Sequence, residues 1–326
     1  MLNSKITSEE METIKQSYTE IFEKCNNSQT GHQYRTVKQS TIEVPAEQRK
    51  EFWEKLYAEP GYAIWIGNYK DVLLDKQANN LISEFIAGKI RERVTDPDTA
   101  EKLIPKNHGF GLKRLPLEDN YYELYNRDNV HLVDIKSNPI TRVTATGIDT
   151  VEAAYDLDVI VYATGFDAVT GSLLRMDIVG KNGVKLKDVW SDGPQTYLGL
   201  QVRGFPNFFT VLGPHNGATF CNIPRCAESQ INWLTDMFRF IRDNDVQVVE
   251  PSLEAQENWT ELVYETAAKT LFPQVNSWFN GDNSNVSGRK RTFLLWAGGN
   301  LSYRDKCNQV RDDGYEGFLM GYRRAK

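Results

Sequence analysis

Apolar residues recur at the three-to-four-residue spacing of a helix through the first hundred residues of the chain. This pattern predicts one helix over residues 7–30, a second that starts at Pro45, and a long third helix from Asp75 to about Val94. The Asp-Pro-Asp sequence at 96–98 predicts a break and a new helix start, because Asp is a good N-cap and Pro fits the first helical turn. The first part of the chain is therefore expected to be mainly helical.

Short apolar runs replace the helical spacing beyond residue 105. Residues 130–135 and 140–145 predict short strands. LDVIVY (157–162) and NFFTVL (207–212) are apolar runs typical of buried parallel strands, and glycine follows each closely. The remaining predicted elements are helices over 224–241 and 251–270 and a strand over 292–296. Because α/β sheets bind ligands at the carboxyl ends of their strands, the pattern indicates a nucleotide-binding α/β protein.

Composition and charge narrow the class of protein. With 326 residues, 40% of them hydrophobic, and a formal net charge of −6, the chain is typical of a globular protein and lacks an overall basic field for nucleic acid. The N-terminal stretch is polar, so no secretory signal is predicted. No apolar run reaches the roughly 20 residues that a membrane helix needs, so no transmembrane segment is predicted either.

Four cysteines are present, namely Cys25, Cys221, Cys226 and Cys307. None forms a CxxC pair, and the five-residue spacing of the middle two does not suit a zinc knuckle. No histidine cluster completes a metal site, so no metal is predicted. We expect reduced thiols and a cytoplasmic protein.

Three segments combine small residues with possible ligand contacts. In VIVYATGFD (159–167), the small residues can let a cofactor approach, or they form a plain strand-to-loop turn. In LGPHNGATFCNIPRCAE (212–228), a helix that starts near Pro224 offers free N–H groups to an electron-rich ligand, or it is an ordinary capped helix. His215 within it fits a structural role. GFGLKR (109–114) places two cations after two glycines, which suits a phosphate or a solvated loop.

Taken together and in this order, the motifs ATGFD, YYELYNRDNV and FPNFFTVLGP resemble the Baeyer–Villiger monooxygenases of the cyclohexanone and cyclopentanone type. The similarity runs from about Thr7 to Phe318, which is nearly the whole chain. It implies a flavoprotein in which FAD and NADPH carry the chemistry, and in which O₂ and a small-molecule ketone give an ester or lactone.

The resemblance also implies roles for individual residues. Arg114 matches the catalytic arginine beside the flavin, which stabilises negative charge on the oxygen-activated cofactor and contacts NADP. Lys113 matches a residue that contacts the NADP phosphate, and Trp278 matches one that positions NADP. The further implied cofactor contacts are Asn222, Ile223, Thr164 and Gly165, and the implied substrate-pocket residues are Phe220, Cys221, Cys226 and Phe293.

The implied fold class is α/β, an incomplete two-dinucleotide-binding-domain flavoprotein with a helical insertion. We expect a helical region over 1–115, the C-terminal part of the NADP-binding domain over 116–168 and the C-terminal part of the FAD-binding domain over 169–326. The family's two GxGxxG motifs and its FxGxxxHxxxW fingerprint are not found in the sequence. From the family layout we therefore expect roughly 200 N-terminal residues to be absent.

That expectation leaves two functional hypotheses open. The first is an enzyme of this family whose FAD-binding segment is supplied by a complementing chain. The second is a non-catalytic remnant or pseudoenzyme that acts as a binding subunit. A sheet without its first strands would present an apolar face and open edges, so we expect such a surface on this chain.

Overall fold

A computed structural model describes residues 5–216, 221–283, 286 and 288–322 of the chain. The N-terminal part is helical, as the apolar spacing predicts. Its helices are α1 (Ser8–Gln16), α2 (Tyr18–Asn26), α3 (Ala46–Ala58), α4 (Ala63–Ile66), α5 (Lys76–Arg93) and α6 (Pro97–Leu103). Ser17 divides the helix predicted over residues 7–30 into α1 and α2.

Side-chain caps set the starts of several of these helices. Thr7 and Glu10 form a reciprocal capping box at α1. Asp75 and Asp96 each accept a hydrogen bond from the backbone N–H three residues later, at the starts of α5 and α6. Each cap satisfies a backbone donor that has no partner inside its own helix. The predicted starts of α5 and α6 are therefore confirmed.

Two buried asparagines tie this helical part to the loop that follows it. Asn68 accepts a hydrogen bond from the Trp53 indole N–H (2.9 Å). Asn79, on α5, donates to the carbonyl oxygens of Val72 (2.7 Å) and Phe110 (2.9 Å). Buried amides are costly when unpaired, so these bonds fix their partners firmly. Phe110 belongs to the GFGLKR segment, and α5 thereby sets the position of that segment.

A small antiparallel sheet follows the helical part. Its strands are β1 (Ile140–Val143), β2 (Gly147–Thr150) and β3 (Ala154–Asp156). Ile148 on the central strand pairs with Val143 on one side and Tyr155 on the other. The strand expected within 140–145 is confirmed. The strand expected over 130–135 is wrong, because that stretch is irregular and pairs with no strand in the described part of the chain.

The apolar run at 157–162 joins no sheet among the described residues. The predicted buried parallel strand is therefore wrong. Val161 is 81% exposed, and Phe166, shortly after the run, is 94% exposed. A continuous apolar pattern indicates a strand that is buried when neighbours cover both faces, and here the apolar side chains face solvent instead. We call residues 157–166 the open segment.

The remainder of the chain packs around two long helices. Its elements are α7 (Gly171–Arg175), α8 (Leu186–Val189), α9 (Ile223–Asp243), β4 (Val246–Pro251), α10 (Leu253–Ala268), α11 (Asn300–Asp312) and β5 (Phe318–Tyr322). Helices α9 and α10 confirm those predicted over 224–241 and 251–270. Strands β4 and β5 pair antiparallel, with Val249 opposite Met320. The main apolar core lies between α9, α10 and α11.

Two other predicted strands are buried or partly buried without forming ladders. Residues 207–212 take part in an isolated bridge at Phe209. Residues 292–296 run as an irregular buried segment in which the Leu294 N–H donates to the Phe279 carbonyl oxygen (2.8 Å). Both strand predictions are wrong. These two apolar runs are at least partly buried, but an apolar run does not identify the neighbouring strand that a ladder requires.

Two kinds of feature are absent from the described residues. No helix there is long and apolar enough to cross a bilayer. No group of three or more His, Cys, Asp or Glu side chains there is arranged to hold a metal ion.

Candidate functional site

The loop that carries Lys113 and Arg114 is shaped by two glycines. A side chain at Gly109 would collide with the Asn79 amide that holds the loop. Gly111 has a positive φ of 72°, and a Cβ there would lie 2.7 Å from the Trp65 indole nitrogen. Glycine tolerates both demands because it has no Cβ. The GFGLKR sequence thus lets the two cations follow a tight turn packed against the helical part.

Arg114 is held by aromatic rings. Its guanidinium carbon lies 4.7 Å from the centroid of the Tyr62 ring and 5.1 Å from that of Trp65. Both distances are within the range of a cation–π interaction. Within the described ranges no carboxylate forms an ion pair with Arg114. We call Tyr62 and Trp65 the aromatic clamp; it orients the guanidinium and leaves its charge available to an anionic ligand.

His32 lies beside the clamp. Its ring centroid is 6.0 Å from that of Tyr62. Burial, and then the nearby positive charge of Arg114, lower the pKa of His32 below its usual value. His32 is therefore neutral at pH 7, and Arg114 provides the positive charge at this position.

A cavity of about 240 Å³ opens next to Arg114. Its walls are largely apolar, as in most small-molecule sites. The buried Thr30 hydroxyl on its wall has no hydrogen-bond partner in the described structure. The lining residues are Gln29, Thr30, His32, Thr36, Trp65, Ile66, Tyr69, Lys70, Val72, Leu73, Leu74, Arg114, Cys221, Thr270, Phe272, Ala297, Gly298 and Gly299. The cavity has room for one ring-sized molecule, and a complete dinucleotide would not fit.

The start of α9 forms one wall of this region. Asn222 is the N-cap residue, and its N–H donates to the Thr30 carbonyl oxygen (2.7 Å). Ile223, the first residue of the helix, is exposed. Cys221 lines the cavity, whereas Cys226 is buried against Asn300 with 3.3 Å between its Sγ and the amide oxygen. Cys221 and Arg114 therefore line the same cavity, whereas Cys226 is not among the lining residues.

The expectation of four reduced thiols is wrong in part, because Cys221 and Cys226 form a disulfide. The turn into α9 brings their Cα atoms to 6.3 Å, within the range that a disulfide spans. Cys25 and Cys307 are free and buried. Burial raises the pKa of the Cys307 thiol to about 12, which makes it unreactive at neutral pH.

Other residues implied by the resemblance lie away from this cavity. Thr164 and Gly165 are exposed in the open segment, and Gly165 has a positive φ of 86° with no atom within 4 Å of the position that a Cβ would occupy. Phe293 is buried in the main core. Lys113 is half-buried outside the cavity lining. Phe220 lies outside the described residues.

Trp278 is linked to the cavity wall through two phenylalanine rings. It opens the short 3₁₀ turn Trp278–Asn280, and its ring centroid is 4.6 Å from that of Phe279. Phe279 in turn meets Phe272 at 5.6 Å, edge to face. Phe272 lines the Arg114 cavity. A chain of two packed rings therefore joins Trp278 to one wall of the cavity.

His215 has the structural role that its sequence context indicates. It is fully buried, and Thr196 Oγ1 lies 3.3 Å from its Nδ1. Burial lowers the pKa of His215 to about 4, so the ring is neutral at physiological pH. The Trp259 indole donates to its carbonyl oxygen (3.3 Å). These contacts make His215 part of the core.

Sequence reasoning missed the aromatic clamp, His32 and Thr30. The signal for the clamp was the Gly- and aromatic-rich stretch at 61–69, which is unusual but does not reveal what its rings contact. Its proximity to Arg114 is a tertiary contact between segments about 50 residues apart. Local pattern carries no information about such contacts.

Comparison with known proteins places these features in context. The chain is 49% identical over 319 residues to 2-oxo-Delta(3)-4,5,5-trimethylcyclopentenylacetyl-CoA monooxygenase from Pseudomonas putida, covering 98% of this chain and 58% of that protein. It is 39% identical over 322 residues to cyclopentanone 1,2-monooxygenase from Comamonas sp. strain NCIMB 9872, again covering 98% and 58%. A scan against protein-family models found no match.

The fold agrees with the sequence comparison. The chain superposes on the crystal structure of OTEMO in complex with FAD and NADP with a TM-score of 0.93 at 48% identity, covering 98% of this chain and 58% of that one. This match confirms the expected α/β flavoprotein fold in partial form. The chain thus spans less than two thirds of the length of the relatives it matches. By sequence and by fold, the chain is similar over nearly its whole length to Baeyer–Villiger monooxygenases.

Proposed function

We propose that this chain provides the arginine-bearing part of an FAD- and NADPH-dependent monooxygenase. The reaction inserts one oxygen atom from O₂ next to a ketone carbonyl and gives an ester or a lactone. The observation that carries the proposal is Arg114, held by the aromatic clamp at a largely apolar cavity without a carboxylate partner in the described residues. A positive charge that is oriented but not neutralised is suited to stabilise negative charge during a reaction.

The cavity residues fit part of the cofactor set. At about 240 Å³ the cavity suits a small cyclic ketone or a single cofactor ring. Arg114 and the adjacent Lys113 suit a phosphate or an electron-rich ring edge. When bound, FAD reduced by NADPH supplies the activation of O₂ and the transfer of oxygen. The chain's own residues orient the ketone, hold positive charge beside it and exclude water.

Roles for the remaining residues follow the family resemblance. We propose that Arg114 acts catalytically and that Lys113 contacts the NADP phosphate. We propose that Trp278 positions NADP. The proposed flavin and dinucleotide contacts are Asn222, Ile223, Thr164 and Gly165, and the proposed substrate-pocket residues are Phe220, Cys221, Cys226 and Phe293. Support is strongest for Cys221, which lines the same cavity as Arg114.

We propose a division of the chain into three parts. Residues 1–115 are a helical insertion, residues 116–168 belong to the NADP-binding domain and residues 169–326 belong to the FAD-binding domain. The helical part supplies the aromatic clamp, and the last part supplies Cys221 and Phe272. The cavity therefore lies where the first and last of these parts meet. Because NADPH is an intracellular reductant, we also propose a cytoplasmic site of action.

The open segment supports a requirement for more protein. Its apolar side chains face solvent and it joins no sheet among the described residues. We propose that a strand from the nucleotide-binding regions of the family covers it, supplied in the same polypeptide or by a complementing chain. A non-catalytic binding subunit would use the same surface to hold a partner, and the following experiment separates the two functions.

The test is reconstitution with cofactors. The purified chain is mixed with FAD, alone and together with the remaining portion of its Pseudomonas putida relative. A bound-flavin spectrum and ketone-dependent NADPH oxidation in the mixture would support the enzyme. Stable binding of that portion without flavin binding or NADPH oxidation would favour the binding subunit and refute the proposed activity.

A further inference from the structure

The ATGFD turn is tied to a distant loop by an ion pair. Both carboxylate oxygens of Asp167 accept hydrogen bonds from the Arg289 guanidinium, one through Nη1 to Oδ1 and the other through Nη2 to Oδ2 at 2.9 Å. The side chains are only 17% exposed for Arg289 and 11% exposed for Asp167. This fork-to-fork geometry at a largely buried site is stronger and more directional than a surface ion pair.

The surroundings of Asp167 favour this arrangement. A Cβ at Gly171 would collide with the Asp167 side chain, so glycine at that position leaves room for the carboxylate. Arg175 approaches from the solvent side, with 4.0 Å between Nη2 and Oδ2. The Asn283 amide nitrogen lies 3.5 Å from Oδ1. Arg289 is thus the principal partner among the described groups.

Arg289 lies just before residues 292–294, which run alongside the Trp278 turn. Backbone hydrogen bonds join the two stretches: the Thr292 N–H donates to the Asn280 carbonyl oxygen (3.0 Å), and the Leu294 N–H donates to the Phe279 carbonyl oxygen (2.8 Å). Holding Arg289 therefore restrains the 3₁₀ turn that Trp278 opens. The same pair also restrains the end of the open segment, because Asp167 directly follows it.

We propose that Asp167 and Arg289 are a positioning pair that fixes the Trp278 turn relative to the Thr164–Gly165 turn. This inference rests on the proposed function, in which both turns contact the bound cofactors. The pair contacts no substrate itself. It removes the freedom of two separate segments before the cofactor binds, so that less ordering is needed on binding.

The first test measures hydrogen exchange in the full 326-residue chain. Arg289→Gln is compared with wild type in peptides covering 276–283 and 288–294. The control is Lys290→Gln, which breaks the neighbouring but well-exposed ion pair with Asp192. We expect exchange to rise about tenfold in both peptides for Arg289→Gln alone, equivalent to ~1.4 kcal/mol. Equal exchange in wild type and Arg289→Gln would overturn the proposal.

The second test measures NADP⁺ affinity, by quenching of tryptophan fluorescence, in the mixture of the chain with FAD and the remaining portion of its Pseudomonas putida relative. Arg289→Gln and Asp167→Asn are expected to weaken binding about tenfold, while Lys290→Gln leaves it unchanged. Arg289→Lys keeps the charge but loses the fork, so an intermediate affinity is expected. Equal affinity in all variants would overturn the positioning role. Failure of the wild-type mixture to bind NADP⁺ would instead refute the proposed function, and the exchange test would still decide whether the pair restrains the Trp278 turn.

Discussion

Two aromatic rings, those of Tyr62 and Trp65, hold the Arg114 guanidinium beside the cavity. The clamp matters because it sets the direction of a guanidinium that no described carboxylate holds.

The clamp makes a testable prediction about Tyr62. Tyr62→Leu removes the ring face, and we expect the NADP⁺ affinity of the mixture with FAD and the remaining portion of the relative to fall about fivefold, corresponding to about 1 kcal/mol, the upper figure for a cation–π contact at an exposed site. Tyr62→Phe keeps the ring and serves as the matched control with near wild-type affinity. Both are measured by fluorescence titration. If the two variants lose affinity equally, the hydroxyl rather than the ring face is responsible, and the clamp is contradicted.

The buried His215 predicts a pH dependence of stability. Its pKa is lowered to about 4 in the folded protein, against about 6.5 for an unperturbed histidine. Below pH 6.5 the unfolded chain binds a proton that the folded chain does not, so the free energy of unfolding falls as the pH falls. We expect His215 to account for about 2 kcal/mol of stability lost between pH 7 and pH 5.

Urea unfolding of the wild type and of His215→Asn at the two pH values tests this. Asn does not titrate and tolerates the positive φ of 64° at this position. The variant is expected to be less stable at pH 7 and to lose less stability on acidification. A pH dependence identical to that of the wild type would show that His215 is protonated in the folded state.

At the scale of secondary structure, helices were predictable and most strands were not. The starts of α5 and α6 follow from Asp75 and Asp96, whose capping bonds are local. Residues 157–162 and 292–296 have strand-like composition, but a strand is defined by a partner elsewhere in the chain. In the first case no described segment pairs with the run, and in the second the run is buried in irregular form. A run of apolar residues thus predicts neither the partner strand nor, for residues 157–162, burial. The same limit applies at the site: GFGLKR and the family resemblance identified Arg114 and Lys113, whereas Tyr62 and Trp65 reach Arg114 only through the fold.

The glycine loop before Arg114 predicts a position-specific cost. Gly111→Ala must accept a positive φ of 72° and a contact with the Trp65 indole, and we expect a loss of about 2–3 kcal/mol. Gly183→Ala is the matched control, since its φ of 78° is similar but no atom lies within 4 Å of the new Cβ. Its expected loss is about 1 kcal/mol. Thermal unfolding that shows equal losses for both would exclude a role for the Trp65 contact.

At the scale of the whole molecule, the open segment and the partial length of the match both fit the proposal that further protein covers the open segment. The chain spans 58% of its Pseudomonas putida relative, and apolar side chains of the open segment face solvent. We predict that Val159→Thr with Val161→Thr lowers binding of the dye ANS and reduces self-association, because the exposed apolar surface shrinks. Val143→Thr on β1, another exposed valine, is the control. Equal dye binding by the double variant and wild type would show that the apolar surface that binds ANS lies outside the open segment.

The central claim is that Arg114 belongs to a Baeyer–Villiger active site. The most direct measurement is transfer of oxygen from ¹⁸O₂ to a cyclic ketone by the chain reconstituted with FAD, NADPH and the complementary portion of its relative. We predict one ¹⁸O atom in the ring of the lactone for the wild type. With Arg114→Ala we predict loss of labelled lactone by about two orders of magnitude, as expected when a group that stabilises developing charge is removed. Unlabelled or absent lactone from a mixture that binds both cofactors, or undiminished labelling with Arg114→Ala, would contradict the account.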